Sequence, residues 1–401
     1  MTAGLYIHIP FCKSRCSYCD FATDVYRSKD AVEHYVAALC REIESVRPER
    51  VSGRREDRDE GSLLTTVEPL SHAGGIDQRP QVDTIYFGGG TPSLLTPEQL
   101  ESVLATVHSR FNIDVAAEIT MEMNPATVTP ETLGAFQSLG VNRASFGVQT
   151  FDDRALKLLA RGHDANDARA TFKMLRNAGF DNVSFDLIAG LPGQTLDAWE
   201  ENLTEAIAMS PEHLSLYLLE IHEGTPLAEQ VRSRRQPQPD AELAAEMYEM
   251  MLDRLAAVGY EQYEISNFSR PGFESRHNSK YWTLEPVFGF GVSAHSFDGK
   301  QRYANERDTA KYVSRAENDG SAEVMREDID VASEFVFLGL RLERGIDLAE
   351  YSRRFGADLI AKYSDEIFQL IEDRLIEIEQ KKIKLTQKGK LYSNEVFAVF
   401  V

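Results

Sequence analysis

Cysteine is scarce in this chain: four among 401 residues, at Cys12, Cys16, Cys19 and Cys40. Three of them fall within eight residues, which excludes a disulfide framework spanning the molecule and suits a metal centre in a reducing compartment. No apolar run reaches the roughly 18 residues of a spanning helix. The start, MTAGLYIHIP, lacks a basic segment followed by an apolar stretch and a small-residue cleavage site. A cytoplasmic protein is therefore expected, peripheral to a membrane only through a partner. Positive charge is also short. Lys and Arg number 43 against 64 Asp and Glu, a net charge of −21. General nucleic-acid binding, which rests on cations neutralising phosphates, is thereby excluded. Internal repeats and coiled-coil heptads are absent as well.

What is present is a chain able to bury a core, with 42% hydrophobic and 27% charged residues. Strand patterns at 5–11, 82–87, 115–123, 143–148, 182–188 and 213–219 alternate with helix patterns at 30–45, 97–109, 130–138, 165–178 and 195–208. That alternation predicts an α/β fold with a parallel sheet and right-handed crossovers. The motif residues cluster where strands feed helices, the face on which such folds bind ligands. The mixed-charge stretch 46–81 breaks the pattern and is expected to be a solvent-facing insertion. A helix follows Pro237 and runs to about Val258. Residues 260–305 are rich in aromatics, Gly, His and Asn without clear period, and the chain from about Asp328 looks helical.

Cys12, Cys16 and Cys19 have C-x3-C-x2-C spacing. Three thiolates on one tight loop can hold three irons of a [4Fe-4S] cluster and leave the fourth open. Zinc is the competing reading, with Asp20 or His8 as a fourth ligand. Cys40, in the apolar helical context ALCREI, reads as a buried thiol. Taken alone, FGGG is equally a turn, Arg161 a surface cation and Asp186 a helix-facing polar residue. Leu216, Leu218 and Leu219 read as core, and Glu264 and Asn267 as polar groups near the barrel mouth. The GFG at 289–291 lacks the context of a dinucleotide fingerprint.

YIHIPFCKSRCSYCDF followed by FGGGTPS resembles the radical S-adenosylmethionine superfamily. The likeness continues through EITMEMNP, VNRASFGVQTF, LLARGH, FDLIAGLPGQT and HNSKYW, over nearly the whole chain. It is similar to one subgroup, the oxygen-independent coproporphyrinogen III oxidases and the haem chaperones related to them. The resemblance implies a partial, open (β/α)6 barrel over 1–235, a mixed connecting region over 236–310 and a mostly helical domain over 311–401 with a winged-helix-like end. It implies that Cys12, Cys16 and Cys19 bind a [4Fe-4S] cluster and that S-adenosylmethionine chelates its open iron. Tyr6 and Tyr18 would lie beside the cluster, and Gly89, Gly90 and Thr91 at the methionine end. Glu122, Gln149, Arg161 and Asp186 would line the polar remainder of the cofactor. The residue types suit these roles. Glycines admit a ligand to backbone N–H groups, Arg161 offers a fork to a carboxylate, and Glu122 or Asp186 accepts from ammonium or ribose hydroxyls.

Two departures favour the haem-chaperone branch over the oxidase. Oxidases of the subgroup carry a further cysteine just after the third, where this chain has Asp20 and Phe21, and a longer segment before the first. His277, Asn278, Tyr281 and Trp282 match the HNxxYW motif associated with haem in that branch. Imidazole is a normal haem-iron ligand, and an aromatic pair could cover a porphyrin face. His295 is a second histidine candidate with an equally good structural reading. The expected function is binding haem and passing it to an acceptor haem protein, membrane-associated and respiratory, with an electron donor serving the cluster. The enzyme alternative is radical oxidative decarboxylation of coproporphyrinogen III. A structural zinc protein acting through its C-terminal module is the alternative of a different class.

Overall fold

The computed structural model describes residues 2–46 and 79–401. The insertion expected at 46–81 therefore lies, apart from residues 46 and 79–81, outside the described residues.

The chain opens with β1 (Ala3–Ile9) and then forms a short parallel pair, β2 (Phe11–Cys12) with β3 (Asp24–Val25). From there β4 (Gln81–Gly89), β5 (Asn112–Met123), β6 (Arg143–Gln149), β7 (Val183–Ala189) and β8 (His213–Leu218) continue from β1 as one parallel ladder. The helices Lys29–Glu44, Pro97–Arg110, Pro130–Ser138, Ala165–Ala178 and Leu196–Met209 lie among these strands. Each starts where the sequence offers an acceptor: Ser28, Thr96, Thr129, Asp164 and Thr195 each cap a backbone N–H of the first turn. Such a cap contributes about 1 kcal/mol, and Pro97 and Pro130 preset the first helical residue.

The strands are buried on both faces, and the two faces differ in chemistry. Leu5, Ile7, Ile85, Phe87, Ile119, Met121, Phe146, Phe185 and Leu214 join the main apolar core under the helices. The residues between them are Tyr6, Thr84, Tyr86, Glu118, Thr120, Glu122, Arg143, Ser145, Ser184, Asp186, His213 and Ser215. Because side chains alternate along a strand, this second set lines the barrel lumen. A polar lumen is the feature that the rest of the molecule serves.

Residues 261–328 extend the ladder at both ends. After β8 come β10 (Asn267–Ser269) and β9 (Glu261–Glu264), both antiparallel. On the far side, β11 (Val287–Phe290) lies parallel to β1, followed by β12 (His295–Phe297), β13 (Gln301–Asn305) and β14 (Glu323–Asp328). The described residues thus form one twelve-stranded mixed sheet. The added strands are three to six residues long, too short to carry a readable period. The helix Arg276–Trp282 packs against β4 at the end of the lumen away from the thiol loop, and this contact is the seam.

The C-terminal residues build a second core around Phe335, Val336, Tyr351, Ile367, Ile383 and Val396. Its helices carry a small sheet of β15 (Ile346–Asp347), β16 (Ile376–Glu379) and β17 (Lys382–Leu385), the last two forming an antiparallel wing. Arg341 joins the two cores, with its guanidinium 4.4 Å over the Trp282 ring and 3.1 Å from Glu264. Among the described residues no helix is long and apolar enough to cross a membrane.

Candidate cofactor site and the seam beneath it

The thiol loop hangs from the end of β1. Its backbone is pinned by Tyr26 N–H to Cys12 O at 2.8 Å and by Ser17 N–H to Leu159 O at 2.9 Å. The end of β4 turns across it at Gly89, whose φ is +111° and where a Cβ would lie 2.6 Å from the His8 ring. At Gly90 a Cβ would meet Pro10 O at 2.5 Å. Only glycine permits this approach. The three thiols are free and half-buried. Burial pushes the Cys12 thiol up to about 11 and raises Cys19 as well. Thiols so placed become good ligands when a metal supplies the compensating charge.

Among the described residues no three His, Cys, Asp or Glu side chains converge closely enough to hold a single metal ion. Nor is the fourth ligand of a zinc site supplied. His8 Nε2 contacts Ala22 O at 2.9 Å and its Nδ1 the Tyr6 hydroxyl at 3.0 Å, while exposed Asp20 faces Arg307 at 3.7 Å. Cys40 stands apart, packed against the main core with its sulfur 3.8 Å from Ser102 Oγ.

Two chains of contacts frame the loop. In the first, Arg161 donates to Cys16 Sγ and Tyr18 Oη, each at 3.4 Å, and to Gly147 O at 2.7 Å. Its other contact is Asn124 Oδ1 at 2.5 Å. Asn124 Nδ2 then donates to Thr91 Oγ1 at 2.7 Å, and Thr91 to Cys12 Sγ at 3.6 Å. The Arg161 Nε is buried and has no partner. In the second, Glu122 accepts from Tyr86 Oη at 2.9 Å and from Gly89 N–H at 3.1 Å. Desolvation, with Asp186 adding repulsion, pushes the Glu122 carboxyl up to about 7. Tyr6 stacks on Tyr86 with centroids 6.2 Å apart. Burial also raises Asp186, which the Ser215 and Ser145 hydroxyls partly compensate. Gln149, buried with φ +67°, sits where β6 slips register against β7. An unpartnered Arg161 N–H and a carboxyl without a cation are what a zwitterionic, positively charged cofactor would complete. The donor set fits a cluster and S-adenosylmethionine.

The structure brings Tyr6, Tyr18, Gly89, Thr91, Glu122, Gln149, Arg161 and Asp186 to one end of the barrel. It places the RHNSKYW residues elsewhere, in the seam. His277 is 1% exposed, with Nδ1 at 2.9 Å from Thr84 Oγ1 and Nε2 at 3.1 Å from Tyr281 Oη. Tyr86 stacks on its ring at 5.1 Å. Burial, together with Lys280 and Arg143, lowers His277 to about 3, so it is neutral. Both imidazole nitrogens are thus engaged within the chain, by Thr84 and Tyr281. Glu118 accepts from Arg276 N–H at 3.1 Å and His277 N–H at 3.0 Å, fixing the helix start, and Ser275 caps it. Asn278, Tyr281 and Trp282 are half-buried along the same helix.

Reading the sequence missed Asn124, which joins Thr91 to Arg161, and Arg143 in the lumen. Alternation was the available signal: polar residues at every second position of β5, β6, β7 and β8, in strands otherwise apolar.

Fold and thiol loop together define a class. The model of the radical SAM superfamily matches residues 6–206, and that of the HemN C-terminal domain residues 327–392. The chain is 34% identical to "Heme chaperone HemW" of Bacillus subtilis over 99% of this chain and 98% of that protein. Its identity to the Escherichia coli protein of the same name is 31%, with 99% and 98% covered. It is 32% identical to "Radical S-adenosyl methionine domain-containing protein 1, mitochondrial" of Bos taurus over 96% and 84%. The solved structure of coproporphyrinogen III oxidase (HemN) from Escherichia coli aligns with TM-score 0.82 at 24% identity, over 100% of this chain and 90% of that one. At that identity the likeness speaks for the fold. The chain belongs to the radical SAM superfamily and, within it, to the family of the HemW proteins.

Proposed function

We propose that this protein is a haem chaperone: it binds haem and transfers it to an acceptor haem protein. The observation that carries this reading is end-to-end similarity to proteins named heme chaperone, at 34% identity over 99% of the chain. Asp20 and Phe21, standing where the oxidases have a further cysteine, support it.

Cys12, Cys16 and Cys19 hold a [4Fe-4S] cluster, and S-adenosylmethionine occupies the open iron; when bound, the pair supplies one-electron chemistry. The chain's own groups orient it. Arg161 presents its free N–H to the carboxylate. Glu122 accepts from the ammonium, and Gly89, Gly90 and Thr91 border the methionine end. Gln149 and Asp186 meet ribose hydroxyls, with Tyr6 and Tyr18 as walls. Haem contacts the Asn278, Tyr281 and Trp282 edge, and His277 positions that edge through Thr84 and Tyr281. An electron donor serves the cluster from solution. The acceptor is a membrane-associated respiratory haem protein, reached from the cytoplasm.

Anaerobic reconstitution followed by parallel haem titration and coproporphyrinogen turnover on one preparation tests the reading. About one haem per chain with no protoporphyrinogen IX is expected. Multiple-turnover product formation would establish the oxidase instead.

A further inference from the structure

Arg143 enters the barrel lumen from the first residue of β6 and is 1% exposed. Other cations of the fold are paired with carboxylates. Lys280 lies 2.9 Å from both Asp83 and Glu285, and Arg176 reaches both oxygens of Glu212 at 2.8 Å. Arg143 is different. Its Nε is buried without a partner.

Thr120, directly opposite in the β5–β6 ladder, has a buried hydroxyl that is also unpartnered. The Arg143 charge is felt by His213, His277 and Tyr263, which are neutral groups. Asp186 is the carboxylate within its electrostatic reach, but that carboxyl is hydrogen-bonded by the Ser215 and Ser145 hydroxyls and shared with Arg161. A guanidinium carries five donors and no acceptor. Next to a free hydroxyl it calls for a group that only accepts and bears negative charge. A buried guanidinium with an open N–H is costly unless something completes it.

We propose that Arg143, with Thr120 beside it, is an anion anchor in the barrel lumen that takes a propionate carboxylate of the bound haem. The proposal rests on the haem-binding reading above and adds the group that recognises the cargo's charge. Propionates need such a group here, because a chain of net charge −21 repels them. The position agrees with the seam: Arg143 lies within electrostatic reach of His277, so one site joins the lumen to the RHNSKYW helix.

Haem and haem dimethyl ester, which lacks the two carboxylates, separate this anchor from general porphyrin packing. Both are titrated into the reconstituted full chain as wild type, Arg143→Met and Arg143→Lys. Wild type is expected to prefer haem roughly ten- to hundredfold, the range of a charge-assisted hydrogen-bond pair. Arg143→Met loses that preference through weaker haem binding alone, with ester affinity and iron content unchanged. Arg143→Lys keeps the charge but not the fork and regains part of it. An unchanged haem-to-ester ratio in Arg143→Met overturns the anchor while leaving the haem reading intact. Wild type that binds neither ligand overturns the haem reading itself. Should Arg143→Met fail to fold, the lysine variant decides: a full wild-type preference in it removes the guanidinium fork from the site.

Discussion

The two ends of the barrel lumen hold similar residue types in opposite states. At the thiol loop, Arg161 has an N–H with no partner and Glu122 has no cation beside it. At the seam, His277 uses both nitrogens, Glu118 holds two backbone N–H groups and Lys280 is paired twice. Polar burial is tolerated only when it is satisfied. Groups left unsatisfied in an otherwise closed protein therefore mark where a ligand belongs, and completed groups mark architecture. Motif recognition treats both ends alike; hydrogen-bond completion separates Arg161 and Glu122 from the His277 clamp and sets Arg143 and Thr120 with the former.

The strongest way to break this contrast is at the loop. Cys16→Ala should abolish the reconstituted cluster while Cys40→Ala keeps it, read by iron and sulfide content and Mössbauer spectra. A full cluster in Cys16→Ala would remove the thiol loop from the metal site. Next is Arg161→Ala, which should weaken S-adenosylmethionine by roughly ten- to hundredfold with iron content unchanged. An unchanged cofactor dissociation constant would place Arg161 among the architectural groups.

His277→Ala tests the other end. It leaves Thr84 and Tyr281 hydroxyls without their partner in a buried place, so a loss of about 1–3 kcal/mol in unfolding free energy is expected. Full stability combined with lost haem affinity would instead show a direct haem contact. Joint replacement by His277→Ala and Trp282→Ala should lower haem affinity while cluster content stays near normal.

The smallest effect is a pH dependence. The Glu122 carboxyl, raised from 4.5 to about 7, binds a proton in the folded chain at pH values where the unfolded chain has lost it. Its contribution to stability is therefore fully present below about 4.5 and is lost as pH rises through 7. Glu42 is raised to about 7 as well, by burial, although Tyr312, Gly291 N–H and Asn305 hydrogen-bond it. Denaturant melts of the apo protein should fall over that window, and either glutamine variant should flatten part of the fall. Saturating S-adenosylmethionine should cancel the Glu122 share only. Equal response of both variants to cofactor would erase the distinction between ligand group and clamp.

Much of the architecture is legible in the residues. The parallel strands and their helices follow from period, and the cysteine spacing picks out the loop that hangs from the end of β1. Residues 260–305 are opaque because strands such as Asn267–Ser269 and His295–Phe297 are too short for a period, and the first of them pairs with β8, distant in sequence. The state of His277 is hidden for another reason: a motif names a residue type, whereas engagement of both nitrogens depends on Thr84, which lies 193 positions away.

The place of β1 has a consequence for how the chain matures. One edge of β1 pairs with β4, but the other pairs with β11, in the register Leu5 to Phe288. The loop that offers the thiols is thus tethered to a strand whose second neighbour is among the later parts to leave the ribosome. At about 5–20 residues per second the delay is roughly 15–60 s. During that interval a strand edge stays unpaired and three thiols stand unsheltered, a period of exposure to oxygen and to edge-to-edge association. Shortening the chain before β11 would make that exposure permanent.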